Sequence, residues 1–143
     1  MKKVIFAIVI SIITIGYAMA DNITSNTFQV TQHKAEDFIK QHFSGIDVVY
    51  TEYDEDDFEV RLANGIKIEF YVNGDWKEIK AYGNYVPKSI LPKFVAETLD
   101  KAYPQATVIK VEKEWNGYEI KLNNMTKLLI DNNGTLLGKK TDK

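Results

Sequence analysis

The side chains able to do chemistry are few in this sequence, and their spacing limits what they can do. There is no cysteine, and His33 and His42 are the two histidines. A thiol nucleophile is excluded, and no G-x-S-x-G elbow presents a serine. The histidines are nine positions apart with no ligand set beside them, which argues against zinc. His42 falls among Ala35, Phe38, Ile39 and Phe43 at helical spacing, the setting of a packed boundary histidine. The acidic run EYDEDD, Glu52 to Asp57, offers Asp54, Asp56 and Asp57 as oxygen ligands for Ca²⁺. It lacks the spacing of a calcium-binding loop and reads more simply as a solvated hairpin turn. Glu59 and Glu119 share the polar face of their strands, but a hydrolytic pair must lie about 5–10 Å apart across a cleft. Alternation alone explains a charge at both positions. The expectation is therefore no catalytic residue, no metal ligand and no cofactor.

The aromatic residues carry more. If Asn73-Gly74 is a two-residue loop, Tyr71 faces Trp76 across a hairpin on the outward side of a sheet. Tyr82 shares the parity of Trp76, and Tyr50 joins that face unless a bulge reverses it. Tyr50, Tyr71, Trp76 and Tyr82, ringed by Lys67, Glu69, Glu78 and Lys80, resemble a protein-binding hot spot. Ordinary cross-strand pairing on a two-sided sheet would produce the same pattern, so both readings stand here.

The elements that must position these residues are legible. Residues 21–30 read as a polar leader. A helix follows over TQHKAEDFIKQHFSG, with Thr31 as N-cap and Gly45 as stop. Phe58, Val60 and Leu62 alternate with charges, as do Ile66, Ile68 and Phe70, the mark of strands with one buried face. A second helix enters through Pro87 or Pro92 and stops before Pro104, its apolar face Phe94, Val95, Leu99 and Ala102. Four more strands follow it.

The pattern repeats at an offset of sixty. Eight of 38 positions are identical between 42–79 and 102–139, against roughly two expected by chance. Glu59/Glu119, Leu62/Leu122, Asn64/Asn124 and Gly74/Gly134 are among them. One α-β-β-β-β unit has little apolar surface for a core of its own, and two can share one. The fold class is thus α+β, with two tandem repeats (31–83 and 87–140) in a single domain, 31–143. About eight antiparallel strands would form its sheet, helices packed on one face.

The stretches FEVRLANGIKIEFYVNGDWKEI, VPKSILPKFVAETLDKAYP, GYEIKLNN and IDNNGTL resemble the PepSY-like, β-lactamase-inhibitor-like family of small exported bacterial proteins. The resemblance covers roughly residues 28–140 and implies two α-β-β-β-β repeats with an open, aromatic-rich sheet face. In the namesake inhibitor that face binds an enzyme. Met125-Thr126 stands where the first repeat has Gly65-Ile66, so one hairpin loop is expected to differ.

The amino terminus sets the compartment. Lys2 and Lys3 precede an apolar run from Val4 to Ile15, and Ala18-Met19-Ala20 forms an A-x-A cleavage site. Residues 1–20 read as a signal peptide, too short to span a bilayer, so the mature protein is expected to be periplasmic or secreted with no stable membrane anchor. Loss of Lys2 and Lys3 takes the formal charge from −2 to −4, which gives no general attraction for nucleic acid. Asn133-Gly134-Thr135 fits a glycosylation sequon and, equally, turn chemistry. The expectation is a non-enzymatic binding or inhibitor-like module that docks an exported protein or peptide. A small-ligand binder or enzyme with a pocket between helices and sheet is the alternative, and a calcium-binding exported protein a third.

Overall fold

A computed structural model describes residues 4–5 and 24–141, with side-chain environments from residue 32 onward. Apart from Val4 and Ile5, the expected signal peptide and its cleavage site lie outside the described residues. Among the described residues, nine strands form one antiparallel sheet whose spatial order is the chain order. They are β1 (Val4–Ile5), β2 (Val48–Tyr53), β3 (Asp57–Leu62), β4 (Ile66–Tyr71), β5 (Trp76–Ala81), β6 (Val108–Glu114), β7 (Gly117–Leu122), β8 (Thr126–Asp131) and β9 (Leu136–Thr141). Helix α1 (Thr24–His42) precedes β2. A 3₁₀ turn (Lys88–Ile90) and helix α2 (Lys93–Ala102) lie between β5 and β6.

Helix α1 starts at Thr24, not after Thr31, so most of the expected polar leader is helical. The TSNTFQV stretch carries no strong apolar period, which is why it reads as leader. Of the two expected entry points, Pro92 is the N-cap of α2 and Pro87 that of the preceding 3₁₀ turn, and α2 ends at Ala102 with Tyr103 as its C-cap, before Pro104. Val95 and Leu99 are buried from α2, whereas Phe94 stays 59% exposed.

The core lies between helices and sheet, on the side reached by alternate strand residues. Val60, Ile68, Ile79, Val111, Ile120 and Leu128 are successive cross-strand partners, and all are buried. Beside this aliphatic row runs an aromatic one. Tyr53 stacks on Phe58 at 5.4 Å and Phe58 on Phe70 at 5.0 Å. Phe38 of α1 meets Phe70 edge-on at 5.9 Å and lies 6.1 Å from Trp76, which stacks on Tyr118 at 6.1 Å. This chain of rings crosses from β2 to β7 and ties the two halves of the sheet into one core.

The turns differ from the expected two-residue loops. Gly65 N–H donates to Leu62 O, and Gly74 N–H to Tyr71 O, so each loop holds three residues with glycine at the left-handed position (φ 84° and 82°). The same turn occurs at Asn123–Met125, where Met125 takes φ 64° and donates from N–H to Leu122 O. Asn64 and Asn124 each accept from the amide two residues on, at 3.2 Å. The expected difference at Met125 is therefore one of side chain, not of loop geometry. Register shifts recur at the same offset, after Val48 and Val108, and again next to Phe70 and Ile130.

Candidate functional site

Among the described residues no helix lies over the sheet's second face, and the strand registers arrange its side chains in two lines running across the strands. Glu52, Glu59, Glu69, Glu78, Glu112 and Glu119 are consecutive cross-strand partners from β2 to β7. Two residues along each strand, Tyr50, Arg61, Lys67, Lys80, Lys110, Lys121, Lys127 and Lys140 form a parallel line from β2 to β9.

Like charges thus face one another directly, which is unfavourable, and contacts between the lines repair it. Lys67 Nζ reaches Glu59 at 2.6 Å and Glu69 at 2.9 Å. Lys110 Nζ reaches Glu78 at 2.8 Å and Glu112 at 2.7 Å, and so bridges the β5–β6 seam. Lys80 Nζ lies 2.6 Å from the other Glu78 oxygen, off the hydrogen-bond direction. Glu78 is 7% exposed, the most deeply placed carboxylate of its line.

Burial alone would raise the Glu78 carboxyl, but Lys110 and Lys80 outweigh it and hold it below its ordinary 4.5. Glu59 is lowered likewise, burial opposing and Lys67 and Arg61 prevailing. Burial opposes the charge on Lys110 too, yet Glu112 and Glu78 keep its ammonium above the usual lysine range. A carboxylate whose folded pKa is depressed contributes stability above its unfolded pKa and loses it as pH falls through the folded one. The melting temperature is therefore expected to hold from pH 7 to about 4.5 and to fall below it. Glu78→Gln should lower stability at pH 7 by about 2 kcal/mol, less than for a fully buried pair because Lys110 keeps Glu112. It should also flatten the acid limb in thermal melts; an unchanged limb would remove Glu78 from it.

Glu59 and Glu119 are not placed as a hydrolytic pair. Glu59 and Glu119 are four strands apart, about 19 Å at the inter-strand spacing, and each is ion-paired, Glu119 with Lys127 at 3.7 Å. Asp54 and Asp57 close the β2–β3 turn, and Lys77 Nζ is 3.0 Å from Asp57. Among the described residues no group of three or more His, Cys, Asp or Glu is placed to hold a metal ion. His42 packs against Phe38 at 4.7 Å and is lowered by burial; His33 is exposed.

Of the expected contact residues, three are on the open side and one is not. Tyr50 lies under Arg61, 5.1 Å from ring centroid to guanidinium, and donates to Glu52 at 3.1 Å. Tyr71 is 39% and Tyr82 63% exposed. Trp76 is 7% exposed and faces the helices. The three-residue loop pairs Tyr71 with Asp75, so Trp76 falls opposite inward-facing Phe70, and the register shift next to that pair restores outward parity for Glu78. There Trp76 is covered by Phe38, Tyr118 and the Lys113 ammonium, 4.2 Å from its ring. The sequence reading missed Trp115, which stands 87% exposed in the β6–β7 turn. Its signal is a large apolar residue directly before Asn116-Gly117.

Near these residues lies an open groove of about 510 Å³ lined by Val49, Arg61, Gly65, Lys67 and Tyr82. It is shallow and cationic, unlike an enclosed pocket with converging polar groups.

Residues 56–138 match the family model described as "Putative beta-lactamase-inhibitor-like, PepSY-like". The chain belongs to this family. A structure from Bacteroides thetaiotaomicron, described as a "putative calcium-regulated periplasmic protein", is 36% identical, with a TM-score of 0.71 over 79% of this chain and 94% of that one. Two Bacteroides vulgatus structures, both described as putative periplasmic proteins, are similar as well. One is 29% identical, with a TM-score of 0.70 over 76% of this chain and 90% of that one. The other is 28% identical, with a TM-score of 0.71 over 79% and 94%. No curated protein matches the chain. The family's α+β architecture is the one seen here, an antiparallel sheet with two helices on one face. Among the described residues no helix is long and apolar enough to cross a membrane.

Proposed function

We propose that this is an exported, periplasmic, non-enzymatic module that docks a protein or peptide through the open side of its sheet. One observation carries the reading: Tyr82 at 63% and Tyr71 at 39% exposure stand in solvent on the open side, and Trp115, 87% exposed, projects from the β6–β7 turn. Side chains of this kind concentrate binding energy when a partner desolvates them. Tyr71 stands beside the acidic line and Tyr50 begins the basic one, and those lines supply orientation. The periplasmic descriptions of the relatives and the export signal support the location.

The test compares recovery of partners from a periplasmic extract by the wild type and by Trp115→Ala and Tyr82→Ala, both surface changes that leave the core intact. At least one should lower recovery of a specific partner about tenfold or more. Equal recovery by both variants would remove the exposed aromatics from the reading. A second reading takes calcium as a regulator, supported by the description of the thetaiotaomicron relative. A rise in melting temperature with millimolar Ca²⁺, abolished by Asp54→Asn with Asp56→Asn, would favour it.

A further inference from the structure

The two margins of the sheet are built differently. At β9, Lys139 sits opposite buried Leu128, so its side chain is on the helix side, with its ammonium 5.1 Å from the Tyr103 ring. A charge pointing inward from a marginal strand discourages further pairing.

At β2 the arrangement is the reverse. Thr51 and Tyr53 occupy the helix side, and the margin already receives a strand: β1 pairs with it antiparallel, Val4 opposite Tyr53 and Ile5 opposite Glu52. Among the described residues, nothing pairs outside Val48 to Thr51. Beyond Tyr53 the chain enters the exposed acids Asp54, Glu55 and Asp56. Next to them opens a cleft of about 250 Å³ with an apolar floor of Tyr53, Phe58 and Val72 and a rim that includes Asp54, Glu55 and Asp57.

We infer that the β2 margin is a strand-addition site for an extended peptide with lysine or arginine directly before β-branched apolar residues. An antiparallel partner brings its amino-terminal side to the acidic run, where Lys or Arg is complemented, while its following residues make backbone pairs with β2. The chain's own expected signal peptide begins with Lys2-Lys3-Val4-Ile5, basic and then apolar in that order. Its removal on export would leave the margin free for a peptide of the same chemistry. This inference stands apart from docking on the open face.

The test uses the full chain with Val4→Pro and Ile5→Pro, which vacates the margin without touching a core that lies between Ala35 and Ile130. The probes are the synthetic peptides KKVIVT and TVIVKK, equal in composition and opposite in order. KKVIVT should bind and slow amide exchange in β2 about tenfold or more. TVIVKK should bind at least about tenfold more weakly, and Glu55→Lys with Asp56→Lys should weaken KKVIVT by a similar factor. No binding, equal binding of both peptides, or protection appearing on β9 would overturn the inference. Trp115→Ala should leave peptide affinity unchanged, which separates this result from the open-face reading.

Discussion

Trp76→Ala is expected to destabilise the protein by about 3–5 kcal/mol, the cost of a large buried aromatic with partial relaxation of its cavity. Trp76 is in contact range of Phe38 on α1 and Tyr118 on β7, so truncation loosens the helix and weakens the contact between the two halves together. Lys113 would lose the ring under its ammonium as well. Trp76→Phe, which keeps most of the apolar volume, should recover more than half of the loss. Chemical denaturation of the three proteins, compared at equal m-value, checks the order. A Trp76→Ala variant as stable as the wild type would contradict the buried position.

Gly65→Ala is the second large effect. Gly65 has φ 84°, and an added Cβ would meet the Tyr82 carbonyl oxygen at 2.2 Å. That oxygen belongs to backbone tied to the turn, since Tyr82 N–H donates to Gly65 O. The clash and the left-handed backbone together should cost about 3 kcal/mol or more, in the range reserved for strain at special positions. The second half of the chain supplies the counter-experiment. Met125 holds the same turn at φ 64° with its side chain 45% exposed. Met125→Gly relieves the left-handed penalty and should stabilise by up to about 1 kcal/mol. Opposite signs at two equivalent turns, read from thermal melts, would bear out the geometry; equal signs would refute it.

Particular residues show how far the sequence reaches. Phe58-Val60-Leu62 and Ile66-Ile68-Phe70 have correct parity because alternation within a strand is a local property. Pro87, Pro92 and Pro104 bound the second helical segment for the same reason. The side of Trp76 was not legible, because its parity was counted through the loop at Asn73-Gly74. One more loop residue reverses the count, and composition does not distinguish two-residue from three-residue turns. The register shift that follows then returns Glu78 and Lys80 to the outward side. Trp115 escaped since a turn places it, and periodicity is silent about turns. The paired lines of charge needed the β5–β6 register, across a connection that contains a whole helix.

The spatial order of the strands, identical to their order in the chain, has a kinetic consequence. From β2 onward, every neighbour except β6 is reached through a short turn. Closing short loops carries a small entropic cost, and topologies dominated by such contacts reach the native state quickly. With no thiol to oxidise, no disulfide step interrupts this zipping of hairpin onto hairpin. Helix α2 and the crossing to β6 then set the slowest step, so dilution from denaturant should give one dominant refolding phase, slowed by changes at Leu99 or Val95 more than by changes in the first hairpin.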